Sequence, residues 1–107
     1  MNEAQEIMGG LQFKLTRPIK AHGVEVHELQ VKRPTPAECR KIGRMPYVIT
    51  DNSGLYSPDL SVMGDYISVC CGIPPSSVDQ MDLFDFNKLA WEVCNFFAKP
   101  ESSASSS

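Results

Sequence analysis

The sequence predicts an α+β fold in which an N-terminal antiparallel β-hairpin leads into three or four α-helices. Two observations support this prediction. Before Pro34, apolar residues alternate with polar ones, as they do in half-buried strands. After Pro34, apolar residues recur at a spacing of three or four, which is the period of an amphipathic helix.

Two alternating runs form the predicted hairpin. The first contains Leu11, Phe13 and Leu15, and the second is "GVEVHELQVKRP". Between them, "RPIKAHG" supplies Pro18 and Gly23, two residue types that favour a reversal of the chain. We therefore expect antiparallel pairing of residues 11–17 with residues 24–32.

The second run changes its parity halfway along. Its apolar residues fall at even positions up to Val26 and at odd positions from Leu29 onward. Because side chains of a regular strand alternate strictly between two faces, one extra residue has to be absorbed between them. We predict a β-bulge at His27 and Glu28.

A short helix and a connecting segment are predicted next. "TPAECRKIG" offers Thr35 as the N-cap, Pro36 as the first helical residue and Gly43 as the stop. In "RMPYVITDNSGLYSP", a brief β-type run over residues 47–50 precedes the turn-forming "DNSG". This segment is interpreted as a connecting loop that has room for an added strand.

Three further helical segments follow. Helical spacing begins at Asp59 and continues to Gly72, and it places these residues on one core-facing side: Leu60, Met63, Ile67 and Cys70 or Cys71. The two cysteines are therefore interpreted as small core residues. In "IPPSSVDQM", Ser76 or Ser77 can cap a single turn. Asp82 caps the longest helix, and one broad apolar face of that helix is expected to point to the core: Leu83, Phe86, Leu89, Ala90, Val93, Phe96 and Phe97.

Length and composition fit one domain. The chain has 107 residues, of which 42% are hydrophobic, enough for a single core. We expect a flexible lead-in at residues 1–10, the domain at 11–99 and a disordered Ser-rich tail at 100–107. No apolar run reaches the roughly 20 residues needed to span a bilayer, and the cysteines indicate a reduced cytoplasmic setting.

Charge argues against a nucleic-acid partner. The net charge of −3 offers no overall attraction to phosphates. The exception is one local basic cluster, which is interpreted first as a solvated helix face: Lys32, Arg33, Arg40, Lys41 and Arg44. A small regulatory protein that binds nucleic acid remains the alternative function, and it would need these cations to form one patch.

Catalytic and metal-binding signals are weak. His27 could act as a general base beside Glu25 or Glu28, but adjacent strand residues point to opposite faces, so we interpret it as a solvated surface histidine. His22 falls in the predicted turn, and the four cysteines lack the spacing of a zinc site. We expect no enzyme activity, no cofactor and no metal, although a metal module that uses these residues stays open.

Phe84 and Trp91 do not fit the core-facing arc of the last helix. They lie seven residues apart, near a polar stripe that contains Lys88 and Asn95. A neighbouring loop could cover both rings. Alternatively, they form an exposed aromatic pair that contacts a second copy or a partner, and we take Phe84 and Trp91 as the candidate partner-binding residues.

The order of these signals resembles one known family. The hairpin pattern "ELQVKRP" and the C-terminal "GIPPSSVDQMDLFDFNKL" are similar to those of the phage tail assembly chaperones of Mu-type contractile-tailed phages and related prophages. The resemblance covers about residues 13–97. This chain departs from the family's acidic segment after the second strand, where it has "AECRK".

The resemblance implies a non-enzymatic role in virion morphogenesis in the host bacterial cytoplasm. Such proteins bind the long tape measure protein, assist assembly of the tail tube protein, self-associate into oligomers and are absent from the finished virion. It also implies a longer form made by ribosomal slippage, for which the codons of Asn95, Phe96 and Phe97 are the candidate site.

Overall fold

The computed structural model describes residues 6–7 and 10–99. In chain order the elements are β1 (Glu6–Ile7), β2 (Gly10–Ala21), β3 (Val24–Lys32), α1 (Pro36–Ile42), β4 (Tyr47–Ile49), β5 (Tyr56–Pro58), α2 (Leu60–Cys71), α3 (Pro75–Val78) and α4 (Leu83–Ala98). The predicted α+β class is confirmed. Strand β1 lies within the expected lead-in, while the expected tail, residues 100–107, lies outside the described residues.

Strands β2 and β3 form the predicted antiparallel hairpin, with β1 on the other edge of β2. The reversal is shorter than expected, because only His22 and Gly23 form the turn. Both have positive φ, 54° and 77°, as a two-residue type I′ turn requires. The predicted turn "RPIKAHG" was therefore too long, and Pro18 lies within β2.

The predicted irregularity falls at His27, but the extra residues lie in the partner strand. Lys14 pairs with Glu28 and Ile19 pairs with Val26, so residues 15–18 of β2 lie opposite His27 alone. The prediction was wrong in placing the extra residue in β3 at Glu28. Proline has no N–H to give to a ladder, and the irregular stretch of β2 accommodates Pro18.

Most of the predicted helix ends are confirmed. Thr35 and Glu38 form a reciprocal capping box at the start of α1, and Gly43 ends that helix in the left-handed region. Asp59 caps α2 and Asp82 caps α4. These caps act within three residues of themselves, so the local sequence defines them.

Helix α3 was predicted with the wrong cap. Its N-cap is Pro74, which makes no side-chain hydrogen bond. Ser77 lies inside the turn, is buried, and donates its hydroxyl to the Lys20 carbonyl at 2.6 Å. The Gln80 side chain also bonds Lys20, accepting from its N–H at 2.8 Å and donating to its carbonyl at 3.2 Å. This segment therefore covers the outer edge of β2.

The core lies between one face of the hairpin and helices α2 and α4. The strands contribute Leu11, Ile19, Ala21, Leu29 and Val31, and the two helices contribute Val62, Met63, Tyr66, Ile67, Cys70, Leu89, Ala90, Val93 and Cys94. Two leucines assigned to core-facing positions from their spacing, Leu60 and Leu83, are instead exposed.

Asp85 is an acidic residue that lies inside this core. It lies in the first turn of α4, and its side chain is fully buried. Its Oδ2 accepts from the Thr16 N–H at 2.9 Å and from the Thr16 hydroxyl at 3.0 Å. Asp85 therefore links the irregular stretch of β2 to the first turn of α4 through two hydrogen bonds.

Candidate partner-binding surface

An apolar groove opens where the first half of α4 meets the end of β5 and the start of α2. Its volume is about 280 Å³. Six of its seven lining residues are apolar: Pro58, Leu60, Leu83, Phe86, Ala90 and Trp91, with Asn87 as the polar member. An apolar concavity of this kind on a small protein is suited to binding another protein.

Leu60 and Leu83 supply the exposed edges of the groove, at 67% and 78% exposure. Each is the first residue of its helix and follows an aspartate N-cap. Helical side chains point toward the N-terminus, so a first-position side chain projects past the end of its helix. The signal in the sequence was therefore the cap itself, since a leucine directly after it need not reach the core.

Trp91 lies in the wall of this groove and is 40% exposed. Its ring lies 6.2 Å from that of Tyr56, in a tilted arrangement. Tyr56 also contacts Tyr47 on the neighbouring strand, with 5.4 Å between ring centroids. The small β4–β5 hairpin therefore covers one side of Trp91 and leaves the other side accessible.

Phe84 is more open, at 57% exposure. The Lys88 ammonium lies 5.5 Å from the centroid of its ring, a cation–π geometry. Phe84 does not line the groove that contains Trp91. The structure thus leaves both predicted rings accessible on α4 but places only Trp91 in a concave site.

The histidines and cysteines do not assemble into a reactive centre. His27 lies 3.1 Å from Glu25, so the prediction of opposite faces was wrong for this pair, whose members are two residues apart and share a face of β3. Both side chains are exposed, in agreement with a surface histidine. Burial raises the pKa of Cys71 from 9.0 to about 12, which keeps its thiol protonated at neutral pH. Among the described residues, no group of three His, Cys, Asp or Glu could hold a metal ion.

Two members of the basic cluster already have partners within the fold. Arg33 donates to the carbonyls of Phe96 and Lys99 at 2.8 and 3.0 Å. Arg44 lies 3.2 Å from the Asp59 carboxylate. The nucleic-acid alternative requires the cations of the cluster to form one patch, and the contacts of Arg33 and Arg44 within the fold leave fewer of these side chains available to phosphates.

The comparison with known families agrees with this architecture. The family described as "Phage tail assembly chaperone proteins, E, or 41 or 14" matches residues 12–98. The chain belongs to this family of phage tail assembly chaperones. No curated protein and no solved structure matches it. None of the helices in the described ranges is long and apolar enough to cross a membrane.

Proposed function

We propose that this protein binds the tape measure protein during tail assembly, assists formation of the tail tube and acts without catalysis. The observation that carries the proposal is the apolar groove beside Trp91, whose rim leucines are mostly exposed. A chaperone of an aggregation-prone client needs an accessible apolar surface of this type. The same surface is available for self-association into oligomers.

The contact is expected to depend on the groove and not on overall hydrophobicity. Leu83 lines the groove, whereas Leu55 is a similarly exposed leucine, at 64%, that does not. Leu83→Ser and Leu55→Ser therefore each remove one exposed leucine side chain, the first from the groove and the second from outside it. Neither residue is buried, so both variants should keep wild-type helicity.

The test is co-purification of the tape measure protein of the same phage, co-expressed with tagged wild-type protein or with each variant. We expect Leu83→Ser to reduce the amount of client recovered in soluble form and Leu55→Ser to leave it unchanged. Equal recovery with both variants would show that the groove is not the contact surface. The order of genes gives a further check, since the gene should lie between a tail tube gene and a long tape measure gene.

The aromatic pair is tested by replacing Phe84 and Trp91 together with serine. We expect weaker oligomers, measured by sedimentation velocity, or weaker recovery of the client, together with unchanged far-UV circular dichroism. Loss of helicity would instead mean that both rings serve the core, because removing a buried aromatic side chain costs about 3–5 kcal/mol.

A further inference from the structure

A second and larger cleft lies at the opposite end of α4. Its volume is about 860 Å³, and it forms where the end of β3 and helix α1 meet the last turn of α4. It shares no lining residue with the groove beside Trp91. The two surfaces can therefore be tested separately.

Positive charge is concentrated in this cleft. Lys32, Arg33, Arg40 and Lys99 line it, and none of the described residues in its wall is acidic. The whole chain carries a net charge of −3, so the cleft is a local exception in an acidic protein. Low-dielectric walls lined by one sign of charge focus the electrostatic field and attract the opposite charge.

Hydrogen bonds connect two walls of this cleft, the end of β3 and the end of α4. The two hydrogen bonds from Arg33 Nη2 satisfy carbonyl groups at the end of α4, which have no partner within the helix. The Arg33 guanidinium carbon also lies 5.6 Å from the centroid of the Phe96 ring. The Arg33 side chain thus joins the end of β3 to the end of α4 across one wall of the cleft.

The remaining lining is largely apolar. Pro34, Pro36 and Phe97 contribute rings, and Cys39 contributes a thiol whose pKa is raised, first of all by burial. The cleft therefore combines a cationic rim with uncharged, mainly carbon surface. This combination complements a polypeptide that carries both carboxylates and apolar side chains.

We propose that the cleft between α1 and the last turn of α4 binds an acidic segment of a partner protein, in which glutamate or aspartate residues are interspersed with apolar ones. A nucleic acid is a poorer fit, since its backbone would meet the proline and phenylalanine surface and the net negative charge of the chain. Residues 100–107 of this chain are also a poorer fit. They contain a single acidic residue, Glu101, and only Pro100 and Ala104 as apolar ones.

The experiment measures fluorescence anisotropy of a labelled peptide of glutamate and leucine residues against the full chain. Two further peptides replace all glutamates by glutamine or all leucines by serine, and a labelled oligothymidylate serves as the nucleic-acid probe. Arg40→Glu is the test variant. Lys41→Glu is its matched control, because it makes the same charge change on the adjacent, exposed residue, which does not line the cleft.

We expect the glutamate–leucine peptide to bind more tightly than either substituted peptide and more tightly than the oligothymidylate. Arg40→Glu should weaken binding on the order of fivefold to tenfold, as expected when an exposed ion pair is replaced by repulsion. Lys41→Glu and Leu83→Ser should stay within about twofold of wild type, the range of a neutral surface substitution. Normal binding by Leu83→Ser separates this proposal from the one on the apolar groove.

Three results would overturn the proposal. Equal losses in Arg40→Glu and Lys41→Glu would mean that the peptide responds to total charge and not to the cleft. If the peptide without leucine bound as tightly as the glutamate–leucine peptide, the apolar lining of the cleft would have no role in binding. Tighter binding of the oligothymidylate, lost in Arg40→Glu, would assign the cleft to nucleic acid.

Discussion

Replacing Asp85 by alanine tests the idea that one buried carboxylate fixes the irregular part of the hairpin. Its Oδ2 accepts two hydrogen bonds from Thr16. A hydrogen bond to a charged group contributes about 1.5–3 kcal/mol, which gives about 3–6 kcal/mol for the pair. Asp85 Oδ1, however, is buried and has no hydrogen-bond partner among the described residues, and an unsatisfied group costs about 1–3 kcal/mol.

The difference between these contributions spans about 0–5 kcal/mol, and the middle of that range predicts that Asp85→Ala lowers the free energy of unfolding by about 2–3 kcal/mol. The lower part of the range is favoured because the Thr16 side chain is exposed, so water can partly replace the carboxylate. Domains are stable by about 5–15 kcal/mol, and the variant should still fold.

The assay is equilibrium unfolding in urea, followed by circular dichroism and by the fluorescence of Trp91, the single tryptophan of the chain. With a slope of about 1 kcal/mol per molar urea, the midpoint should fall by about 2 M. Asp82→Ala is the control, since it removes only the N-cap bond from the Phe84 N–H and should cost about 1 kcal/mol.

Thr16→Val provides the second arm of a double-mutant cycle. It removes the hydroxyl bond and keeps the bond from the Thr16 N–H. The two substitutions should be non-additive by about 0.5–1.5 kcal/mol, because they remove the same hydrogen bond. Full additivity, or an Asp85→Ala protein as stable as wild type, would refute the assignment of Asp85 as the anchor of β2.

Two further predictions concern stability. Ser77→Ala should lower the free energy of unfolding by about 0.5–1.5 kcal/mol, because it removes the 2.6 Å bond to the Lys20 carbonyl, which keeps its longer bond from Gln80. The exposed Ser76→Ala is its control, and equal urea midpoints would contradict the prediction. The raised pKa of Cys71, from 9.0 to about 12, means that the folded state holds this proton more tightly than the unfolded chain. Its stabilising effect is therefore complete below pH 9 and is lost as pH rises toward 12, and Cys71→Ala should show a shallower decline in urea midpoint over that window. An identical decline would contradict the assignment.

The sequence by itself determined the features that depend on neighbours along the chain. The alternation of strand residues, the change to helical spacing after Pro34, the start of helical spacing at Asp59 and the caps at Thr35 and Asp82 are all present in the structure. Each of these signals acts over a few residues. The fold class could therefore be predicted before any long-range contact was known.

The tertiary structure alone decided which polar residues enter the core and which leucines stay outside it. Asp85 and its partner Thr16 are 69 residues apart in the chain, and periodicity carries no information about such a contact. Leu60 and Leu83 have core-like spacing but project past the ends of their helices. Burial is decided by what packs against a residue. The groove beside Trp91 and the cleft at the other end of α4 are each lined by segments that are far apart in the chain, so the local sequence could not predict them.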